Sequence, residues 1–149
     1  MPLAALALVS VVLAAPPKPV AEAAAALDGA KRSINNKECT FTVEKVDCAL
    51  AVRTSCATQL MKYSYVTTVP LGKVDVKQSA VQPNAGGFSG SHGVEVTTTG
   101  DVIETVTDEG QKTSGSTVVF ALGTTDDDLK RARKFFSALS GAKNACKGK

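Results

Sequence analysis

The chain holds a single histidine, His92, in the run Phe88-Ser89-Gly90-Ser91-His92-Gly93. A serine close to an imidazole is the pairing that nucleophilic catalysis uses, with the ring taking the hydroxyl proton. The spacing does not match the G-x-S-x-G elbow, because Ser89 stands where the first glycine should be. Nucleophile and base are also usually brought together from distant parts of a chain. The sequence therefore favours an exposed loop histidine over a catalytic one. A small secreted hydrolase using His92 with Ser89, Ser91 or a carboxylate (Glu95, Glu104, Asp108 or Glu109) is the alternative. Phe88 is the residue of this loop that points to binding, since a large apolar side chain among Gly and Ser has no strand pattern to bury it; folding back onto the sheet is the alternative, and the favoured one. Phe88, Ser89, Ser91 and His92 are thus the candidate loop for a protein partner or small-molecule ligand whose identity the sequence does not give.

Two other clusters have simpler readings. Asp126-Asp127-Asp128 lacks the alternating acids and the glycine of an EF-hand loop. It sits instead where a helix begins, with Thr124 or Thr125 as cap and Asp126–Lys130 and Asp127–Arg131 at favourable i,i+4 spacing. Cys39, Cys48, Cys56 and Cys146 lack the close pairs of zinc sites. The sequence assigns no catalytic residue, no cofactor and no metal ligand.

What must position these residues is legible in part. Leu3 to Ala15 is an apolar run ended by Pro16, Pro17, Lys18 and Pro19. It is too short to span a membrane and reads as a secretory signal peptide, cut after Ala14 or as late as Ala23. The expected organisation is a targeting segment over 1–15, a helical segment over 16–38, and one disulfide-linked domain over 39–149. In an exported chain, secreted or periplasmic, four cysteines form two disulfides with three connectivities open. The mature protein has no membrane span. A net charge of +3 with mixed signs excludes the basic patch of a nucleic-acid binder.

Val20 to Ile34 has helical spacing, with Asn35-Asn36 as its stop. Cys39 to Cys56 alternates as a hairpin. With Asp47-Cys48 as its turn, Val43 faces Val52, Phe41 faces Thr54, and Cys39 faces Cys56, so the last two can bridge and Cys48 is left for Cys146. Met61 to Leu71 is a third strand, and Lys73 to Val81 an edge segment that could accept a peptide strand, a further binding alternative. Gln82 to Gly93 is a loop. Val94 to Thr98 and Val102 to Thr107 form a second hairpin, Asp108 to Ser116 a turn, and Thr117 to Leu122 the last strand. From Asp126 to Cys146, Leu129, Ala132, Phe135, Phe136, Leu139 and Ala142 make one helical stripe. The fold class is α+β: an antiparallel sheet of six or seven strands covered by a C-terminal helix, with an N-terminal helix added.

Strands followed by one long helix resemble the pleckstrin-homology-like superfold, with Thr68 to Val76 (TVPLGKVDV) resembling its strand and short turn and Leu129 to Leu139 its closing helix. The chain is similar in layout to small exported bacterial proteins of unknown function. The first hairpin turn carries only Lys45 beside Glu44 and Asp47, and the last helix has no Trp. An inositol-phosphate site is not implied.

Overall fold

The computed structural model describes residues 15–149. The run Leu3–Ala15, read as a signal peptide, lies outside the described residues except for Ala15. The fold is α+β, as the alternation and the terminal helical stripe imply. Helix α1 (Lys18–Leu27) opens the chain and α2 (Asp126–Ala145) closes it. Between them the strands are β1 (Lys31–Ile34), β2 (Lys37–Lys45), β3 (Ala49–Ala57), β4 (Lys62–Pro70), β5 (Ala80–Pro83), β6 (His92–Thr97), β7 (Ile103–Thr107), β8 (Lys112–Gly115) and β9 (Thr117–Ala121). They form two antiparallel sheets, a large one in the order β1-β2-β3-β4-β7-β8 and a small one in the order β5-β6-β9.

The N-terminal helix is shorter than its periodicity implies. It stops at Leu27 because the chain turns at Gly29, which lies at φ 77°. Residues 31–34 then pair with β2. Asn35 and Asn36, both at positive φ, are the two-residue turn of this hairpin and not a helix stop.

The β2–β3 register places Cys39 opposite Cys56, Phe41 opposite Thr54 and Val43 opposite Val52, as the alternation requires. The turn differs. A bulge between Val43 and Lys45 takes up a residue, so β3 begins after Val46, Asp47 and Cys48. Asp47 Oδ1 accepts from the Ala49 N–H at 2.7 Å, an Asx turn in place of an Asp-Cys two-residue turn.

The second hairpin is not formed. β6 joins β5 and β9, whereas β7 crosses to pair with β4 and β8, so neighbours in sequence enter different sheets. Lys112–Gly115, read as turn, is the edge strand β8. Of the Lys73–Val81 edge region only Ala80 and Val81 are strand, the start of β5; Leu71–Lys73 is a short 3-10 turn.

One core joins the layers. Phe120 of β9 meets Phe41 of β2 edge-on at 6.5 Å and Phe135 of α2 at 5.7 Å. Such pairs each add about 0.5–1.5 kcal/mol beyond burial. Leu50, Val52 and Val69 line the inner face of the large sheet, while Arg53 and Ser55 face solvent. Helix α2 lies over the small sheet and the Leu71–Lys73 turn, and α1 packs on α2. Two disulfides staple this arrangement. Cys39–Cys56 crosses β2 and β3, and Cys48–Cys146 ties the β2–β3 turn to the end of α2.

Candidate binding groove between the helices

The sequence-marked loop is a closed piece of structure. After β5, Asn84 at φ 54° starts a 3-10 turn at Ala85–Gly87. The Asn84 side-chain oxygen accepts from the Gly90 N–H at 2.7 Å. Ser91 is fully buried, and its hydroxyl lies 2.9 Å from the Ala85 carbonyl and 2.8 Å from that of Phe88. It is an anchor for the loop backbone. The half-buried His92 begins β6, giving its N–H to Gly123 O and accepting from the Leu122 N–H. Among the described residues no hydrogen bond joins the His92 side chain to Ser89 or Ser91. Ser89 is exposed.

Phe88 folds back onto Arg32, whose guanidinium carbon is 4.9 Å from the ring centroid. Arg32 is only 8% exposed. It donates to Ala121 O at 3.0 Å, and its other terminal nitrogen lies 3.1 Å from Cys39 Sγ. Burial pulls this guanidinium down from its ordinary value, while Tyr65 and Tyr63 act in the opposite direction. Arg32 fastens the loop to the large sheet and to the Cys39–Cys56 bridge. Reading residues 31–34 as helix hid this role; only the register of the Asn-Asn hairpin brings Arg32 opposite Cys39.

A second polar network sits on the solvent face of the large sheet. Arg53 pairs with Glu44 and with Asp108, and Asp108 accepts from both the N–H and the hydroxyl of Ser64. The hydrogen bonds from Ser64, followed by Arg53, hold the Asp108 carboxyl below the usual range. The hydrogen bond to Glu44 raises Arg53 above its ordinary value. These charges satisfy one another.

The groove between α1 and α2 is different. The helices run antiparallel, with Pro19 of α1 against Gly141 of α2 at one end and Ala26 near Arg131 at the other. A Cβ added at Gly141 would come within 3.0 Å of Pro19, so small residues allow the close approach. α2 itself starts from a capping box. Thr125 Oγ1 accepts from the Asp128 N–H, and Asp128 accepts from the Thr125 N–H. Arg131 does not take Asp127 as its partner. It donates to the carbonyls of Ala26 and Asp28 at the negative end of α1, both at 3.3 Å. Among the described residues Asp126 and Lys130 form no ion pair either.

Above this junction an open groove of about 740 Å³ is lined by Glu22, Ala25 and Ala26 from α1 and by Arg131, Arg133, Lys134, Ser137 and Ala138 from α2. Ala26 and Ala138 are buried beneath it. Glu22 is exposed and 3.9 Å from Lys18. Arg133 and Lys134 are exposed, and among the described residues neither has a carboxylate partner. An alanine floor under unpaired cations and one serine hydroxyl can receive an anion attached to an apolar body. Sequence reasoning took the apolar stripe of α2 as cover for the sheet and Arg131 as the ion-pair partner of Asp127; the Arg133–Lys134 face gave no signal, since only docking against α1 makes it a groove. A search of protein-family models, curated proteins and solved structures finds no match to this chain.

Proposed function

We propose that this chain is an exported, non-enzymatic binding module that holds a small anionic ligand with an apolar body in the α1–α2 groove. The observation that carries this reading is the pair Arg133 and Lys134, exposed over an alanine floor and, among the described residues, without a carboxylate partner. Charge-assisted contacts to such groups are the stronger class of hydrogen bond and would fix the head of the ligand. The apolar floor would take its body.

Export rests on the apolar run at Leu3–Ala15 together with two intramolecular disulfides, which are consistent with an oxidising compartment. We place the protein in the periplasm or outside the cell. Cleavage after Ala14 leaves α1 whole. Cleavage after Ala23 would remove Val20 and Ala23, both completely buried. The intact mass of the secreted protein should therefore begin at Ala15; an N-terminus at Ala24 would contradict the role of α1 in the groove.

Laurate below its micellar concentration is the probe for binding, with dodecylammonium as the control of opposite charge. Calorimetric titration should show saturable laurate binding that weakens with salt, and none for the cation. Equal binding of both, or of neither, would remove the groove as an anion site.

A further inference from the structure

A separate feature, independent of the groove, lies at the opposite kind of surface: a projecting tip. The β3–β4 connection carries Leu60, 97% exposed, and Met61, 59% exposed. The turn is tightly closed. The Thr58 N–H donates to Met61 O at 2.9 Å, and Thr58 Oγ1 accepts from the N–H groups of Leu60 and Met61. The protein thus holds two apolar side chains in water on a fixed scaffold.

The tip also overhangs β7 on one side, while β2 runs beside it as far as Glu38–Ala57 on the other. Pairing of β4 with β7 ends at Tyr65–Thr107, while pairing of β3 with β4 continues to Ala57–Lys62. Past Ser64, whose carbonyl still accepts from the Asp108 N–H, the ribbon projects on that side by roughly 7 Å, two residues of strand. Behind the apex sits a collar of Lys62, Tyr63 and Lys37, the last with its ammonium 5.0 Å from the Tyr63 ring. Glu38, across Ala57 from Lys62, is the carboxylate of the same rung.

We propose that this tip is a lipid-surface anchor, with Leu60 and Met61 entering the interfacial region of an anionic bilayer and Lys37, Tyr63 and Lys62 at headgroup level. Apolar apex, amphipathic ring and flanking lysines follow the order in which a bilayer changes from hydrocarbon to charged surface. A protein partner fits less well, because a stable interface takes about 800 Å² from each side and a convex two-residue apex offers far less. Membrane association is weak and reversible, on the order of that given by one acyl chain, about 10⁴ M⁻¹.

The test is co-sedimentation of the full mature protein with vesicles of phosphatidylglycerol and phosphatidylcholine. Wild type should bind, and Leu60→Ser with Met61→Ser should lower the partition coefficient by about tenfold or more. Lys37→Glu with Lys62→Glu should weaken binding to the mixed vesicles and not to pure phosphatidylcholine. Leu60, Met61 and Lys62 are exposed, whereas Lys37 is half-buried against Tyr63, so the tip variant should keep the wild-type melting temperature and the lysine variant should fall by no more than a few degrees, which confirms that the fold is kept. Arg133→Glu with Lys134→Glu should leave vesicle binding intact, which separates this site from the groove. The proposal is overturned if wild type does not sediment with the vesicles, or if the tip variant binds equally. It is also overturned if the groove variant alone loses binding, or if the tip variant turns a dimer into a monomer without lipid, since a second copy is then the occupant.

Discussion

The Phe88–His92 loop and the α1–α2 groove are opposites. The loop contains the residues that look reactive: the one histidine, two serines and an unpatterned phenylalanine. In the folded chain Ser91 is tied to loop carbonyls, Phe88 lies against Arg32, and the His92 backbone completes a sheet. The groove contains alanines, arginines and a lysine that look like an ordinary helix exterior. In the folded chain two of those cations have no carboxylate partner among the described residues. Residue type marks what could react or bind; what remains free after packing marks where a ligand can be held.

The two disulfides give the largest test of this contrast, because each serves one region. Replacing both Cys48 and Cys146 by Ser opens a loop with a sequence separation of 98. By chain entropy this costs about 4–5 kcal/mol, read from urea unfolding, and laurate affinity should fall with it because the end of α2 is released. Replacing Cys39 and Cys56, separated by 17, should cost about 3 kcal/mol and loosen the Phe88 side of the molecule. Equal effects of both replacements on laurate affinity would erase the distinction between the regions.

Arg32→Met is the next step down. It leaves Ala121 O without its side-chain donor and Phe88 without its cation, at a cost of about 1–3 kcal/mol. Amide exchange at Phe88 and Ser91 should accelerate while laurate affinity stays the same. Unchanged exchange would show that Arg32 does not hold the loop. Arg133→Glu with Lys134→Glu should do the reverse: laurate affinity falls at least tenfold, about 1.4 kcal/mol, with stability changed by less than about 0.5 kcal/mol.

The smallest effect lies outside both regions. Asp108 has a folded pKa depressed first by Ser64, so its contribution to stability is present above the ordinary carboxylate range. That contribution is lost as pH falls through the depressed value. Ser64→Ala should move the Asp108 titration upward and flatten the acid limb of the stability curve. An unmoved titration by NMR would assign the depression to the Ser64 N–H and Arg53 instead.

The periodic elements were legible in the sequence, and the sheet partition was not. The α2 stripe, its capping threonine and the Cys39–Cys56 register follow from local periods of 3.6 and 2. The alanine pattern of α1 continued through Lys31–Ile34, so the strand carrying Arg32 went unseen until its pairing with β2 was known. Gly100-Asp101 looks like a hairpin turn, but β6 pairs with β5 and β9 and β7 with β4 and β8, so the two separate into different sheets. The groove had no local signal at all. Gly141 against Pro19, and Arg131 on the α1 carbonyls, are contacts between residues more than 100 positions apart.

The measurement that bears most directly on the account is a two-dimensional amide NMR titration of the protein with laurate. Saturable shifts should appear at Ala25, Ala26, Arg131, Arg133, Lys134, Ser137 and Ala138, with residues 84–92 unmoved, and they should vanish when Arg133 and Lys134 become glutamate. Shifts centred on Phe88 and His92, or groove shifts that survive the charge reversal, would contradict it.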